Sequence, residues 1–340
     1  MPFVLLLLMS SLLYSFSLVS LAADSSLSPH LPSVKAPLVS QSLLLDITNI
    51  GQVKLVAVGE HGHIILSSDG MNWQQANVPV QTTLTSVFFY NDKLGWAVGH
   101  DATILHSKDG GLTWQVQLYQ PTLEKPLLNI VFKSPLEGLA IGAYGLFFRT
   151  LDGGKTWQSE FHSEFLLPDD IDYLAELKQE DEEAYLDEVS SILPHFNRLL
   201  IDGRTLYMVG EMGLMAKSND FGKNWLLFDE IYQGSFFDMA RTIKGNLLVV
   251  GLRGHVFRRL KNAPWQQRQT NTTALINDIV LTNDDRIFLL ANNGTLLESN
   301  DDGQSYRLRN QKDGKALIAG VWFNNQLIVV SDVGIKTISL

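Results

Sequence analysis

A short turn-like element recurs along the chain, and this recurrence constrains the fold more than any other feature of the sequence. In SKDGGLTWQ, which begins at Ser107, a hydroxyl residue is followed by aspartate after two positions, glycine after four and an aromatic residue after seven. Four copies keep this spacing, a fifth from Ser67 is one residue shorter, and a further stretch keeps only its aromatic residue, Trp265. The aspartates and aromatic residues of the five copies are Asp69 and Trp73, Asp109 and Trp114, Asp152 and Trp157, Asp220 and Trp225, and Asp301 and Tyr306. Such regular self-similarity is typical of repeat architectures.

A second recurring element gives the number of repeats. It is an apolar run that ends in a small residue, as in VAVG and WAVG, and its end positions are Gly59, Gly99, Gly142, Gly210, Gly251, Ala291 and Ser331. These positions are separated by 40, 43, 68, 41, 40 and 40 residues. Within one unit, β-branched and aromatic residues between turn residues indicate four short strands. Seven such units predict an all-β fold, a seven-bladed β-propeller over residues 41–340.

The last unit ends after three predicted strands, which argues against an open solenoid, the structural alternative. In a closed ring the missing fourth strand must come from elsewhere, and the stretch SVKAPLVSQ precedes the first strand of the first unit. We therefore expect residues 23–40 to close the last blade and to bury edges that would otherwise pair with other chains.

The interval of 68 residues contains an insertion, residues 164–194, with its own composition. Eleven acidic residues and one basic residue lie between positions 164 and 188, while the remainder carries 25 of each sign. A helix-start signal and an apolar stripe predict an amphipathic helix or short helical hairpin. The stripe consists of Ile171, Leu174, Leu177, Tyr185, Val189 and Ile192. The insertion is expected either to pack on the rim or to dock a basic partner surface through Asp169, Asp170, Asp172, Glu180, Asp181, Glu182, Glu183, Asp187 and Glu188.

The N-terminal stretch predicts export. No charged side chain precedes Asp24, and Ser20-Leu21-Ala22 offers small residues where a signal peptidase cleaves, so residues 1–22 are interpreted as a signal peptide. An uncleaved N-terminal anchor is the alternative. Either way, we expect an exported protein that resides in the periplasm, either free or associated with the membrane. The chain has no cysteine, which excludes disulfides and thiolate metal sites within it.

The recurrent aspartate turn is interpreted as structural. A short carboxylate accepts hydrogen bonds from nearby backbone N–H groups, and the aromatic residue packs between sheets. Binding is therefore expected at the other end of the blades, in the turns between second and third strands, where loops vary on a rigid scaffold. The candidate residues in these turns are Glu60, His61, His100, Asp101, Tyr144, Glu211, Met212, Arg253, Asn292, Asn293 and Asp332.

Several kinds of ligand are not expected. His61, His63 and His100 lack an accompanying carboxylate–histidine set, so no metal site is predicted. No glycine-rich loop joins a strand to a helix, and no cofactor is expected. Because the acidity is local and no basic stripe is present, nucleic-acid binding is not expected. We expect a monomer whose partner is a protein.

The motif S/T-x-D-x-G-x-S/T-W is similar to the Asp-box, or bacterial neuraminidase repeat. Over about residues 40–340, the whole repeat resembles the photosystem II assembly and stability factor family of exported seven-bladed propellers. The resemblance implies a non-enzymatic assembly factor that binds protein partners of a membrane or envelope complex. Photosynthetic members are expected to present an arginine-rich patch, whereas Arg253 is the one firmly basic residue of the candidate turns. This difference favours a non-photosynthetic bacterial member.

An enzyme or glycan-binding propeller is the alternative class, because Asp-boxes also occur in sialidases and glycosidases. A sialidase needs an arginine cluster that starts early in a six-bladed ring, and the first arginine here is Arg149. No catalytic residue is therefore predicted, although a carboxylate pair for glycosidic hydrolysis is left open.

Overall fold

The computed structural model describes residues 31–261 and 263–340, and its strands form seven separate antiparallel sheets. The predicted signal peptide lies outside the described residues. Blade 1 contains β1 (Leu44–Ile50), β2 (Lys54–Gly59), β3 (Ile64–Ser67) and β4 (Gln74–Gln75). Blade 2 contains β5 (Leu84–Phe89), β6 (Gly95–Gly99), β7 (Thr103–Ser107) and β8 (Gln115–Leu118). Blade 3 contains β9 (Leu127–Phe132), β10 (Gly138–Gly142), β11 (Phe147–Thr150) and β12 (Gln158–Ser159).

The remaining blades follow the same order after the insertion. Blade 4 contains β13 (Phe196–Asp202), β14 (Thr205–Gly210), β15 (Met215–Ser218) and β16 (Leu226–Leu227). Blade 5 contains β17 (Phe236–Arg241), β18 (Leu247–Gly251), β19 (Val256–Arg259) and β20 (Gln266–Arg268). Blade 6 contains β21 (Ile276–Leu281), β22 (Ile287–Ala291), β23 (Thr295–Ser299) and β24 (Arg307–Asn310). Blade 7 contains β25 (Leu317–Phe323), β26 (Gln326–Ser331) and β27 (Gly334–Ile338).

The first strand of every blade lies next to the first strands of its two neighbours, and β25 contacts β1. The ring is therefore closed, and the predicted seven-bladed propeller is confirmed. The second strands are apolar runs because each blade packs against a neighbour on both faces. In β2, for example, Val56, Ala57 and Val58 are completely buried.

The N-terminal segment does not close blade 7 as predicted. Its sheet has three strands in the described part of the chain, and residues 31–41 form no strand. Pro37 offers no backbone N–H to a neighbouring strand, and the chain then enters a 3-10 turn at Val39–Gln41. The expectation of a fourth strand is thus wrong for residues 31–40, and residues 23–30 lie outside the described residues.

The segment instead joins the two ends of the ring without becoming a strand. The Ser33 N–H donates to the Val78 carbonyl (2.9 Å), beyond the outer strand of blade 1. The 3-10 turn packs beside β27, where a Cβ on Gly334 would lie 2.0 Å from the Ser40 carbonyl oxygen. Residues 31–41 therefore contact both blade 1 and blade 7.

The insertion is a helical hairpin fixed to the propeller at both ends. It consists of a 3-10 turn (Ser163–Phe165), α1 (Pro168–Glu180) and α2 (Glu182–Ser191). Phe165 and Leu193, which flank the helices, are buried in the core between blades 3 and 4. Asp181 breaks the helix with extended backbone, and its carboxylate caps α2 by accepting the Ala184 N–H (3.0 Å). No helix in the described residues is long and apolar enough to cross a membrane.

The predicted apolar stripe of the insertion is only partly buried. Leu174 is buried, whereas half of the Ile171 side chain is exposed. The break at Asp181 explains the difference, because two short helices that pack on each other cover a narrower face than one helix lying on the rim.

Candidate partner-binding face

The recurrent aspartates bind their own turns. In blade 2, Asp109 Oδ1 accepts hydrogen bonds from the Ser107 hydroxyl (2.8 Å) and the Thr113 N–H (3.0 Å), and Oδ2 accepts one from the Thr113 hydroxyl (2.5 Å). The Ser107 oxygen in turn accepts the Gly111 N–H (2.8 Å). Corresponding bonds are made by Asp69, Asp152, Asp220 and Asp301. These carboxylates are occupied by the turn that carries them.

The charge state of these carboxylates also disfavours acid chemistry. Hydrogen bonds from the Asn72 backbone N–H and side-chain amide lower the pKa of Asp69 below its ordinary value. A carboxylate that is held ionised by its own turn is a poor general acid.

Each Asp-box turn packs against the preceding blade. Trp114 belongs to the core between blades 1 and 2, and its Nε1–H donates to the Gly111 carbonyl (2.9 Å). The buried Arg149 of blade 3 donates to the carbonyls of Phe221 (2.7 Å) and Gly222 (3.0 Å) in the Asp-box of blade 4. The turns therefore link neighbouring blades.

At the other end of the third strands, six blades share an uncommon turn. Its two central residues both have positive φ, between 53° and 59° at the first position and between 46° and 76° at the second. This is the type I′ hairpin turn, which favours Asn-Gly because other side chains are strained there. The pairs are His61 and Gly62, Asp101 and Ala102, Tyr144 and Gly145, Met212 and Gly213, Arg253 and Gly254, and Asn293 and Gly294.

Glycine at the second position has a packing reason. A Cβ on Gly62 would lie 2.1 Å from the Val80 carbonyl oxygen, in the connection that leads to blade 2. The turn is therefore wedged against the chain that enters the next blade.

Bulky residues at the first position are not required by the turn. Left-handed backbone costs about 1–2 kcal/mol for ordinary L-residues, and asparagine relieves part of this cost. Nevertheless Tyr144, Met212 and Arg253 occupy this position, and the exposed fractions of Tyr144 and Met212 are 45% and 62%. The strained turns thus hold large side chains out towards solvent, which is typical of functional sites.

Other candidate residues stabilise the turns. Glu60 accepts the Leu43 N–H (3.0 Å) and Glu211 accepts the His195 N–H (3.3 Å), so both carboxylates bind the chain that enters their own blade. The Asn292 amide oxygen accepts a hydrogen bond from the Asn277 side chain (3.0 Å). Asp101 is half-buried, while the exposed candidates are His61, His100, Tyr144, Met212, Arg253, Asn293 and Asp332.

The insertion adjoins the same face over blade 3. Lys125 donates to the Ser190 carbonyl at the end of α2, and its ammonium lies 5.7 Å from the centre of the Tyr144 ring. The Gly145 N–H donates to the Pro194 carbonyl (3.0 Å), and the Tyr144 and His195 rings meet edge to face at 4.5 Å. Of the nine candidate acidic residues, Asp170 and Glu188 are half-buried and the other seven are exposed.

Sequence reasoning missed a polar layer in the central channel. The residues at equivalent positions of the seven inner strands are Asp46, Ser86, Asn129, Arg198, Asp238, Asp278 and Ala319. Six of the seven inner strands have the pattern apolar–x–this position–apolar near their start, as in LLDI and INDI, and the seventh has LIAG, so a signal was present. Alignment of the seven inner strands by this pattern would have found it.

Hydrogen bonds of this layer cross six of the seven blade interfaces. Asp46 accepts the Ser86 hydroxyl (2.9 Å), and Ser86 accepts the Asn129 amide (3.2 Å). Asn129 and Asp278 accept backbone N–H groups of the following blade, and Asp238 does the same while it also binds Arg198 Nε (3.0 Å). Ala319 has no polar side chain, so the interface between blades 7 and 1 lacks such a bond from this position.

One guanidinium in the channel faces three carboxylates. Arg198 Nη2 also donates to Asp278 (3.2 Å), and Asp46 lies near enough to interact electrostatically with Arg198. Burial raises the pKa of Asp46, and burial together with the Asp238 charge raises that of Asp278 to about 8. All three carboxylates are engaged by N–H or O–H donors, which is the arrangement of a structural network.

An outer cleft of about 550 Å³ contains the other notable carboxylate pair. It is lined partly by Glu160 and Glu164, which both face the His162 imidazole at 3.4 Å and 3.0 Å. Burial raises the pKa of Glu160, but hydrogen bonds from His162 and Arg149 outweigh burial and leave this pKa below its ordinary value. Inverting and retaining glycosidases need one carboxyl with a raised pKa, and Glu160 does not have one. The described residues contain no group of three or more His, Asp or Glu side chains that could hold a metal ion.

Comparisons with known proteins connect these repeats with one family. The family model described as "Photosynthesis system II assembly factor YCF48" matches residues 65–183. The photosystem II assembly lipoprotein Ycf48 of Picosynechococcus sp. is 30% identical over 234 residues, which are 67% of this chain and 61% of that protein. The photosystem II assembly protein Ycf48 of Thermosynechococcus vestitus is 27% identical over 234 residues, 68% of this chain and 60% of that protein. The chain thus spans about three fifths of the length of these two relatives.

Solved structures show the same fold. A structure described as YCF48 bound to D1 peptide has a TM-score of 0.65 and 19% identity, and covers 91% of this chain and 96% of its own. A streptogramin B lyase reaches a TM-score of 0.64 at 13% identity over 88% of this chain and 95% of its own, so the fold alone does not separate binding proteins from enzymes. The relatives that share sequence are named as assembly proteins. This chain is a seven-bladed Asp-box propeller, a homologue of the Ycf48 proteins whose family model matches its residues 65–183.

Proposed function

We propose that this protein is a non-enzymatic assembly factor that binds a subunit of a membrane complex through the face formed by its type I′ turns. The observation that carries the proposal is the set of bulky residues in left-handed turns. Tyr144, Met212 and Arg253 are held at positions where asparagine or glycine would be relaxed, and all three are exposed. Such strain persists where a side chain is needed in one place.

The relatives support the class of partner. Two Ycf48 proteins are named for photosystem II assembly, and one structure of similar fold is described as bound to a D1 peptide. A relative named as a lipoprotein supports an exported, membrane-associated location for this chain. We therefore infer that the partner is an extended segment of a membrane-complex subunit and that a D1 peptide is the first probe to use.

The insertion serves in this proposal as a second contact arm. It is fixed beside Tyr144, and between positions 164 and 188 it carries eleven acidic residues against one lysine. A partner that lies across blades 3–5 would contact the turns and the insertion together. Its attraction to the insertion would weaken with added salt, because the acidic residues are mostly exposed.

Binding of a labelled D1 peptide, followed by fluorescence anisotropy, tests the proposal. The double variant Tyr144→Asn/Met212→Asn is expected to bind about tenfold more weakly, since tyrosine is enriched among the residues that dominate binding energy and methionine is enriched at interfaces. Met71→Asn is the matched control, because Met71 is 73% exposed in an Asp-box turn at the opposite end of its blade. Absence of binding by the unaltered protein, or equal losses in the double variant and the control, would contradict the proposal.

A further inference from the structure

The start of helix α1 carries an apolar row that the described chain leaves about half exposed. Ile171 and Ala175 share one side of α1, and Leu167, the N-cap residue that precedes the helix with extended backbone, lies four positions before Ile171. Leu167 is 56% exposed, Ile171 is 50% exposed, and Ala175 is also exposed. Exposed apolar side chains that adjoin one another and are bordered by polar residues are a feature of protein-binding surfaces.

An acidic row runs directly beside it. Asp172, Glu176 and Glu180 also recur at intervals of four. Asp172 follows Ile171 and Glu176 follows Ala175, so the acidic row lies about 100° around the helix from the apolar row. All three are exposed. None has an ion-pair partner among the described residues, where the one lysine of the segment, Lys178, lies over the Tyr185 ring. The two rows together form an amphipathic strip of α1.

The exposed strip of α1 does not contribute to the core of the helical hairpin. Across both helices, Leu174 is the one buried hydrophobic residue among those the structure describes. Two helices of 13 and 10 residues with so small a core gain little from packing on each other. A third helix placed along α1 would enlarge that core.

We propose that this strip of α1 binds a cationic amphipathic helix of the partner, with apolar side chains against Leu167 and Ile171 and basic side chains against the acidic row. This inference rests on the proposed function and specifies the chemistry of its partner. Charge complementarity selects the occupant, because a segment with eleven acidic residues and one basic residue repels an acidic helix. The apolar row selects an amphipathic helix over a merely basic coil.

A synthetic peptide of about 18 residues, with leucines on one face and lysines on the other, is a suitable probe. A scrambled peptide of the same composition, which has no separate faces, is its control. The protein is used from residue 23 onward, and peptide binding is measured by calorimetry at low and high salt. We expect the amphipathic peptide to bind at least about tenfold more tightly than the scrambled one, and less tightly at high salt.

Three sets of substitutions separate the strip from general electrostatics. Leu167→Ser/Ile171→Ser removes the apolar row, and Asp172→Asn/Glu176→Gln/Glu180→Gln removes the acidic row. The control Glu182→Gln/Glu183→Gln/Asp187→Asn removes the same charge from α2. Both row variants should weaken binding about tenfold, and the control by less than about threefold. The inference is overturned if the control weakens binding as much as the acidic-row variant, or if the scrambled peptide binds equally well.

The two proposals fail in different ways. The row substitutions lie on α1, whereas the assay of the proposed function uses Tyr144 and Met212 in the turns. The helix-docking inference alone is rejected if the protein binds the amphipathic and scrambled peptides equally well while Tyr144→Asn/Met212→Asn still weakens D1-peptide binding. The turn face is rejected as the binding site, and the α1 strip is supported, if the protein still prefers the amphipathic peptide while the turn variants leave D1-peptide binding unchanged.

Discussion

Replacing Met212 by asparagine should make the propeller more stable. Met212 has φ 54° at the first position of a type I′ turn, where asparagine is one of the favoured residues. Left-handed backbone costs an ordinary L-residue about 1–2 kcal/mol, and asparagine relieves the larger part of this cost. The side chain is 62% exposed, so the lost apolar contact offsets only about 0.5–1 kcal/mol of this gain. The net expectation is a gain of about 0.5–1 kcal/mol in the free energy of unfolding.

The reciprocal substitution supplies the control. Asn293 has φ 59° at the same position in blade 6, so Asn293→Met should lower the free energy of unfolding by about 1 kcal/mol. Urea denaturation followed by tryptophan fluorescence measures both, and the midpoints should move in opposite directions at constant slope. If Met212→Asn lowers the midpoint, the methionine is retained for stability and the strain argument for a binding face fails.

Three further predictions concern packing, protonation and ring closure. Gly62→Ala should destabilise the fold by more than about 2 kcal/mol, because a Cβ there meets a backbone oxygen at 2.1 Å, whereas Gly51→Ala should cost only about 1 kcal/mol at its open position; chemical denaturation compares the two. Because folding raises the pKa of Asp278 to about 8, the folded protein favours the protonated form of this carboxyl. The contribution of Asp278 to the free energy of unfolding is therefore fully present below the unfolded pKa near 4 and declines as pH rises towards 8. Urea midpoints at several pH values should show a smaller fall in stability over this range in Asp278→Asn than in the unaltered protein. Deletion of residues 31–41 should lower the melting temperature sharply, and an unchanged melt would show that their contacts with blades 1 and 7 contribute little.

The number of blades was predictable because the turn chemistry repeats with the unit. The spacing of Asp109 and its equivalents identifies five blades, and the apolar run that ends in a small residue identifies all seven. The type I′ turns were located by the same spacing. Their strain was not predicted, since it depends on the φ values of residues such as Met212.

Other features depend on contacts that no local pattern contains. The position of residues 31–41 beside β27 depends on the contact between this strand and the 3-10 turn at Val39–Gln41. The break at Asp181 divides a segment without glycine or internal proline, so an unbroken helix fitted the sequence equally well. The partnership of Arg198 with Asp238 and Asp278 joins three blades and requires the closed ring.

The seam between blades 7 and 1 has a consequence for how the chain folds. The other six interfaces join units that follow each other in sequence, so each closes a short loop and can form early. The seam joins β1 to β25 across almost the whole repeat region, and its closure entropy is correspondingly larger. At this interface Ala319 offers no polar side chain to the channel layer, and residues 31–41 supply contacts from outside the ring. During folding, neighbouring blades should therefore pair first. The seam should close after them and more slowly, and the N-terminal segment should dock last.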